Sequence, residues 1–373
     1  MKQSTLSIGK IIGFCGACIA FYIGAGFATM QEVMQYEASY GSRFMVVILV
    51  AAAIYVYTNL SFATNGSRFG LSRGGDIYQR YCGKYIGLFY DYFSAFFCYM
   101  CFIVMCGGAN STATQQWGLP NGVGAVVLTI AVAATAVFGL KGILNALSKL
   151  GPIIIALILL VSIISSVKGF GQFQEGLAAV DGGAYELAQV GGGSPWLSGA
   201  SYGGFVILWF ASFLAEIGAK NDLKEVNSGM LLSTLFIFGA AAICCIALIS
   251  YIDVTAGADI PALVLANGIH PLLGQAFAII VFCGIYTTAV PLLWTGVGRI
   301  AREGTARYKL LTLIGGAVGC VVACFLPYKG LVNMLYGLNG YLGFILVAFM
   351  LVHDIRTRMG ATAIQVAAPE GEA

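Results

Sequence analysis

Long apolar blocks separated by short polar connections run the length of this chain. Crossing ~30 Å of hydrocarbon takes about 20 helical residues at 1.5 Å each. Blocks of that kind lie at residues 9–34, 44–63, 86–112, 122–139, 148–167, 197–217, 228–251, 271–298, 309–327 and 331–352. They predict an all-α integral membrane fold of ten transmembrane helices. A β-barrel would need alternating segments of ~10 residues, and the chain has none. Residues 74–86 are expected to form a short interfacial helix, and residues 169–195 and 258–269 to carry helical pieces on the outer side. The polar tail after Met359 is expected to be disordered.

Two blocks are interrupted at mid-depth. The first reads FYIGAGFATMQE from Phe21 to Glu32, so Gly24, Ala25 and Gly26 break the apolar run and a carboxylate follows. The sixth reads YGGFVILWFASFLAEIGAKND, with Ala211 and Ser212 between bulky residues and Glu216 close behind. Spans one and six open two sets of five, residues 1–168 and 196–352, joined by an extracellular connection at 169–195 and followed by a tail at 353–373. An odd number of spans inserts the second set upside down. The expectation is two inverted repeats, each with its first helix broken, and such breaks mark a transporter's binding site. Non-helical backbone survives at that depth only where protein or water satisfies it. A break offers amides to an anion and carbonyls to a cation. Glycine lets the chain turn there and a ligand approach. The plainer account is close helix packing at small residues, since the chain holds 50 glycines.

Composition narrows the class. Hydrophobic residues make up 59% of the 373 and charged ones 9%, with a mean hydropathy of +0.88, against roughly 25% charged in soluble domains. With the N-terminus inside, sixteen of the Lys and Arg residues fall in inner loops, and only Arg43, Lys168 and Lys329 fall outside. That asymmetry places both ends in the cytoplasm of a cell-membrane protein and supports the count of ten. Lys2 and Lys10 ahead of the first block imitate a signal peptide, but the run continues too far, and a retained span is expected. Eleven cysteines lie mostly in apolar runs and read as buried thiols. His270 and His353 are the only histidines, which argues against a metal hydrolase or a histidine-based triad. No phosphate-binding P-loop motif supports ATP-driven transport, and no basic cluster suggests nucleic acid. The partners implied are a small-molecule solute and the lipid bilayer, with the chain a monomer or weak homodimer.

The five-plus-five layout with its broken first span resembles the LeuT-fold amino acid–polyamine–organocation superfamily. More narrowly, GAGFATMQE (24–32) resembles the GAGFA-(small)-GQE stretch of the YkvI-like amino-acid permeases, and GGANSTATQQWGLP (107–120) resembles their glycine-rich segment closing in Gly-Leu-Pro. Met30 departs from the pattern, standing where that family tends to have glycine. The resemblance implies an ion-coupled secondary transporter that moves a small zwitterion or amine, an amino acid foremost, by alternating access. A non-transporting receptor on the same fold is the rival, along with a proton-coupled exchanger.

On this reading the substrate carboxylate meets the amides around Gly24, Ala25, Gly26 and Phe27, with Phe210, Ala211, Ser212 and Phe213 closing the other side. Phe102 and Tyr286 are further candidates for the lining. Span eight carries Gly284, Thr287 and Thr288 on one helical face. Their oxygens, with the carbonyls of Ala20 and Ile23 at the end of the first half-helix, make a hard-oxygen site for sodium. It is similar to the sodium site of many LeuT-fold symporters. The competing account is that both threonines bond back to a carbonyl one turn earlier and bend the helix. Glu32, Asp91 and Glu216 are the intramembrane acids. Glu32 is a gate or proton carrier in the outer half, and protons through it are the alternative to sodium. Asp91 is expected to pair with an inner-loop cation, and Glu216 with Lys220 at i+4.

Overall fold

Where no water competes for backbone groups, an apolar block satisfies them by forming helix. The computed structural model describes residues 6–71, 75–138 and 144–358. In chain order the helices are α1 (Ile8–Tyr22), α2 (Ala25–Ala28), α3 (Gln31–Tyr36), α4 (Phe44–Phe69), α5 (Asp76–Trp117), α6 (Val123–Phe138), α7 (Leu144–Gly169) and α8 (Phe173–Asp181). They continue as α9 (Pro195–Lys220), α10 (Leu223–Ser250), α11 (Ile252–Thr255), α12 (Pro261–Ile269), α13 (Pro271–Gly298), α14 (Ala306–Phe325), α15 (Tyr328–Leu331) and α16 (Gly337–Arg358). No strand occurs among the described residues. The tail from Met359 lies outside the described residues, as do Lys2, Arg73 and Lys141 and the side chains of Ala25 and Lys149.

Among the described residues seven helical stretches are long and apolar enough to cross a bilayer. An eighth is a bent pair, Pro195–Leu208 and Phe210–Lys220, whose halves meet at 55°. Ten full spans were expected. The two remaining places hold the shorter apolar helices Ile8–Ala20 and Val123–Val137. The first is short because the chain leaves the helix at Ile23, where φ is −80° and ψ 82°. The bend in α9 falls at position 209, one turn of backbone ahead of the Ser212 end of the Ala211–Ser212 pair. The segment 74–86 contains the start of α5, set off from the long part of that helix by Gly83 at φ 74°. α8 and α12 occupy the two connections expected to be helical on the outer side.

Glycines bring the helices together. A methyl group on Gly199 would meet Val47 and Val50, on Gly203 it would meet Ile54, and Gly218 and Gly66 abut Ala63 and Ala215. These pairings advance together, so α4 and α9 run parallel. On the other side of α9, Gly343 lies against the Gly204 carbonyl and Gly340 against Ser201, which fixes α16. α1 lies along α10, with Gly229 against Ile11 and Phe14. At the base of that pair Ser7 N donates to Glu225 Oε1 at 3.0 Å and Lys10 Nζ stands 3.3 Å from Oε2. Gly24 is different in kind. A methyl group there would meet nothing within 4 Å.

A cover closes over the far end of the broken first span. Val190 N donates to Gln35 O at 3.2 Å, Ser198 Oγ to Tyr36 O at 2.6 Å and Ala262 N to Thr29 O at 3.2 Å. Gln35 Nε2 donates to Lys329 O at 3.0 Å. The covering groups come from the 182–194 connection, α9, α12 and α15.

Candidate functional site

The site begins where α1 ends. In a continuing helix Gly24 N would donate to Ala20 O; here it donates to Tyr22 O at 2.9 Å, which releases the Ala20 carbonyl from the ladder. The short α2 follows, and then Met30 takes φ 59° and ψ 10°, the left-handed region that a non-glycine residue rarely occupies. Thr29 fastens this turn. Its Oγ1 donates to Gly26 O at 2.7 Å and lies 3.1 Å from Tyr328 Oη.

The turn at Met30 reverses the course expected for Glu32. Rather than continuing outward by two turns, Glu32 folds back so that its Oε1 lies against Gly26, where any methyl group would collide with it. Tyr336 Oη lies 3.2 Å from that same methyl position. Glu32 is 6% exposed. Tyr336 reaches this point from a π-helical turn, Val332–Tyr336, between α15 and α16, a distortion that often accompanies functional sites.

These groups border a cavity of about 670 Å³. The broken span contributes Ala20, Tyr22, Ile23, Gly24, Gly26 and Glu32 to its wall. α13 contributes Gly284, Thr287 and Thr288, so all five residues of the expected cation site face one space. Thr287 Oγ1 donates to Gly284 O at 2.7 Å and Thr288 Oγ1 to the same oxygen at 3.0 Å. Three α13 oxygens therefore converge on one point, and in this conformation the hydroxyls are bonded back within their own helix. From α9 come Phe205, Leu208, Ser212 and Phe213, and from α5 Tyr78, Ser94 and Cys98. Phe205 and Tyr336 stack as a tilted pair with ring centroids 4.5 Å apart.

Other candidates lie elsewhere. Phe27 and Ala211 are buried in the core, outside the cavity wall. Phe102 packs on Gly319 of α14 and stacks on Tyr99, outside the cavity wall. Phe210 backs the cavity from behind, edge-on to Tyr55 and Phe213. The Tyr286 hydroxyl meets Thr135 Oγ1 of α6 at 2.7 Å and so faces out of the site. Asp91 pairs with Arg299 at the start of the α13–α14 connection. Glu216 is half-exposed and bonds Lys220 at 2.6 Å, a local ion pair.

Sequence reasoning missed Tyr336, Phe205, Tyr78 and Glu37. The three aromatics carry no local signal among so many rings. Glu37 is wholly buried, and Cys245 Sγ donates to its Oε2 at 3.7 Å. A signal for it existed. Thr29, Gln31, Glu32, Gln35, Glu37 and Ser39 form a polar run directly behind an apolar block, and all are buried.

No family model matches the chain. Over 346 residues it is 23% identical to the uncharacterised protein YyaD of Bacillus subtilis, covering 90% of this chain and 94% of YyaD. Among solved structures, MhsT in complex with L-phenylalanine superposes with a TM-score of 0.61 at 16% identity, over 91% of this chain and 88% of MhsT. The fold is LeuT-type. A variant of the Eremococcus coleocola manganese transporter shares it, with a TM-score of 0.57 at 13% identity over 98% of this chain and 84% of that one. Both are membrane transporters and neither is an enzyme. One is held with an amino acid and the other is named for a metal, so the LeuT-type fold by itself does not choose the cargo.

Proposed function

We propose that this multi-pass membrane protein is a secondary transporter that carries a small amine-bearing solute across the cell membrane by alternating access, coupled to sodium. The observation that carries the reading is the cavity itself, which opens where the first span stops being helix inside a LeuT-type fold. Backbone released at that depth needs a partner, and Ala20, whose carbonyl leaves the helical ladder, lines the same cavity as Gly284 and the two threonines, so their oxygens are candidate ligands to a cation. Five residues from two separate helices face one space, which fits a coupling ion better than chance packing. Sodium bound there would hold α1 against α13. The narrower likeness to YkvI-like amino-acid permeases rests on the GAGFATMQE and Gly-Leu-Pro stretches. It favours an amine-bearing solute over the manganese of the Eremococcus coleocola protein, and so does the lack of a group of three or more His, Cys, Asp or Glu residues suited to a metal ion among the described residues.

Proton coupling is the second reading, favoured by the placement of the Glu32 carboxylate in the cavity wall. Uptake into proteoliposomes separates the cases. Sodium coupling requires accumulation that collapses when choline or potassium replaces sodium at fixed pH. Accumulation driven by a pH gradient alone supports protons. Saturable binding without flux under either gradient identifies a receptor and removes the transporter reading.

A further inference from the structure

Among the described residues, the wall of the central cavity holds one formally charged residue, Glu32, and no Lys, Arg or His. Glu32 is more than nine-tenths buried, and none of the ion pairs among the described residues involves it. The acid within electrostatic reach of it, Glu37, has the same sign. Its carboxylate is pressed against Gly26, the position where the break in span one would otherwise receive an anionic group from outside. A substrate carboxylate sent to that place would meet a carboxylate already there.

We propose that Glu32 is the substrate's counter-charge, and that the cavity takes a carboxylate-free primary ammonium whose apolar body packs on Phe205, Phe213 and Tyr336, in preference to an α-amino acid. This rests on reading the cavity as the transport site. The chemistry matches on both counts. A buried, unpaired carboxylate is completed by an ammonium donor, and aromatic faces attract a desolvated cation as well as an apolar body. The left-handed turn at Met30 is what makes the arrangement possible, because it returns a residue from beyond the break to the break itself.

Three probes of one shape and different charge test the proposal: phenethylamine, with the amine alone; L-phenylalanine, with amine and carboxylate; and 3-phenylpropionate, with the carboxylate alone. Binding to the purified full chain is measured by calorimetry and thermal shift. Phenethylamine is expected to bind roughly tenfold to a hundredfold tighter than L-phenylalanine, the range of one charge-assisted contact, and 3-phenylpropionate not to bind. Glu32→Gln should lose a similar factor for phenethylamine, and Glu32→Asp should keep part of it. The wild-type ranking needs no variant, so misfolding of Glu32→Gln does not blunt the test. L-Phenylalanine binding as tightly as phenethylamine overturns the proposal, as does unchanged amine affinity in a folded Glu32→Gln protein or no binding of the amine at all. Uptake of the bound probe distinguishes the two readings. Amine binding without flux removes the transporter and leaves this site, whereas L-phenylalanine flux without amine binding does the reverse.

Discussion

Met30 holds a backbone conformation that suits glycine while its side chain is wholly buried. The left-handed backbone costs an L-residue roughly 1–2 kcal/mol, and deleting a buried methionine side chain costs about 2–5 kcal/mol. Met30→Ala loses the side chain and keeps the strain; Met30→Gly loses the same side chain and sheds the strain. The glycine variant should therefore be the more stable of the two by about 1 kcal/mol, the reverse of the order inside a helix. Thermal unfolding of both variants in detergent reads the difference, and an alanine variant equal or superior to the glycine one would contradict the turn. The residue pattern made Gly24 and Gly26 legible because apolar blocks flank them on both sides. Glu32 was legible as an intramembrane acid but not as a neighbour of Gly26. On a straight helix two turns separate them, and only one residue with positive φ brings them together. That conformation belongs to Met30, whose side chain type gives no hint of it.

At the scale of elements, α9 is gripped between α4 and α16 through glycines, whereas Gly239 on α10 has nothing within 4 Å of its methyl position. Gly343→Ala must push α16 off the Gly204 carbonyl and should cost about 1–3 kcal/mol. Gly239→Ala should be neutral or stabilise by up to about 1 kcal/mol. Melting temperatures that fall for the first variant and hold for the second confirm that packing, rather than composition, distinguishes these glycines. α13 poses a separate question. Its threonine hydroxyls now donate to Gly284 O, and a bound cation would draw those oxygens toward itself. Thr287→Val with Thr288→Ala is expected to abolish stabilisation by sodium chloride relative to choline chloride while leaving the melting temperature in choline within a few degrees. Equal response to the two salts in the unsubstituted protein would leave the threonines as benders of the helix only. An all-helical fold could be read from apolar block length, but ten full spans and the helix ends could not. α5 starts beyond its block on the interfacial side because Gly83 lets it turn, and the bend of α9 falls at position 209, ahead of Ala211 and Ser212.

Over the whole molecule, the two faces are tied in different ways. On the face where α1 begins and α16 ends, side-chain contacts between charged or hydroxyl groups dominate: Lys10 with Glu225, Arg299 with Asp91, and Tyr57 and Ser61 donating to Asp354. On the opposite face the backbone carbonyls of the broken span accept from Val190, Ser198 and Ala262, and its Gln35 side chain donates to Lys329 O. A backbone-fastened cover parts as a unit, since α3 cannot leave one partner without straining the rest. Each such bond contributes about 1 kcal/mol. Ser198→Ala should shorten the dwell time of the closed cover by roughly five-fold at room temperature, if the bond is broken at the barrier. Single-molecule fluorescence between dyes on α8 and α12 would record it as shorter closed intervals. Lid opening sets turnover in many enzymes; if opening of this cover limits the cycle in the same way, a chain with one fastening fewer should cycle faster although its cavity is untouched.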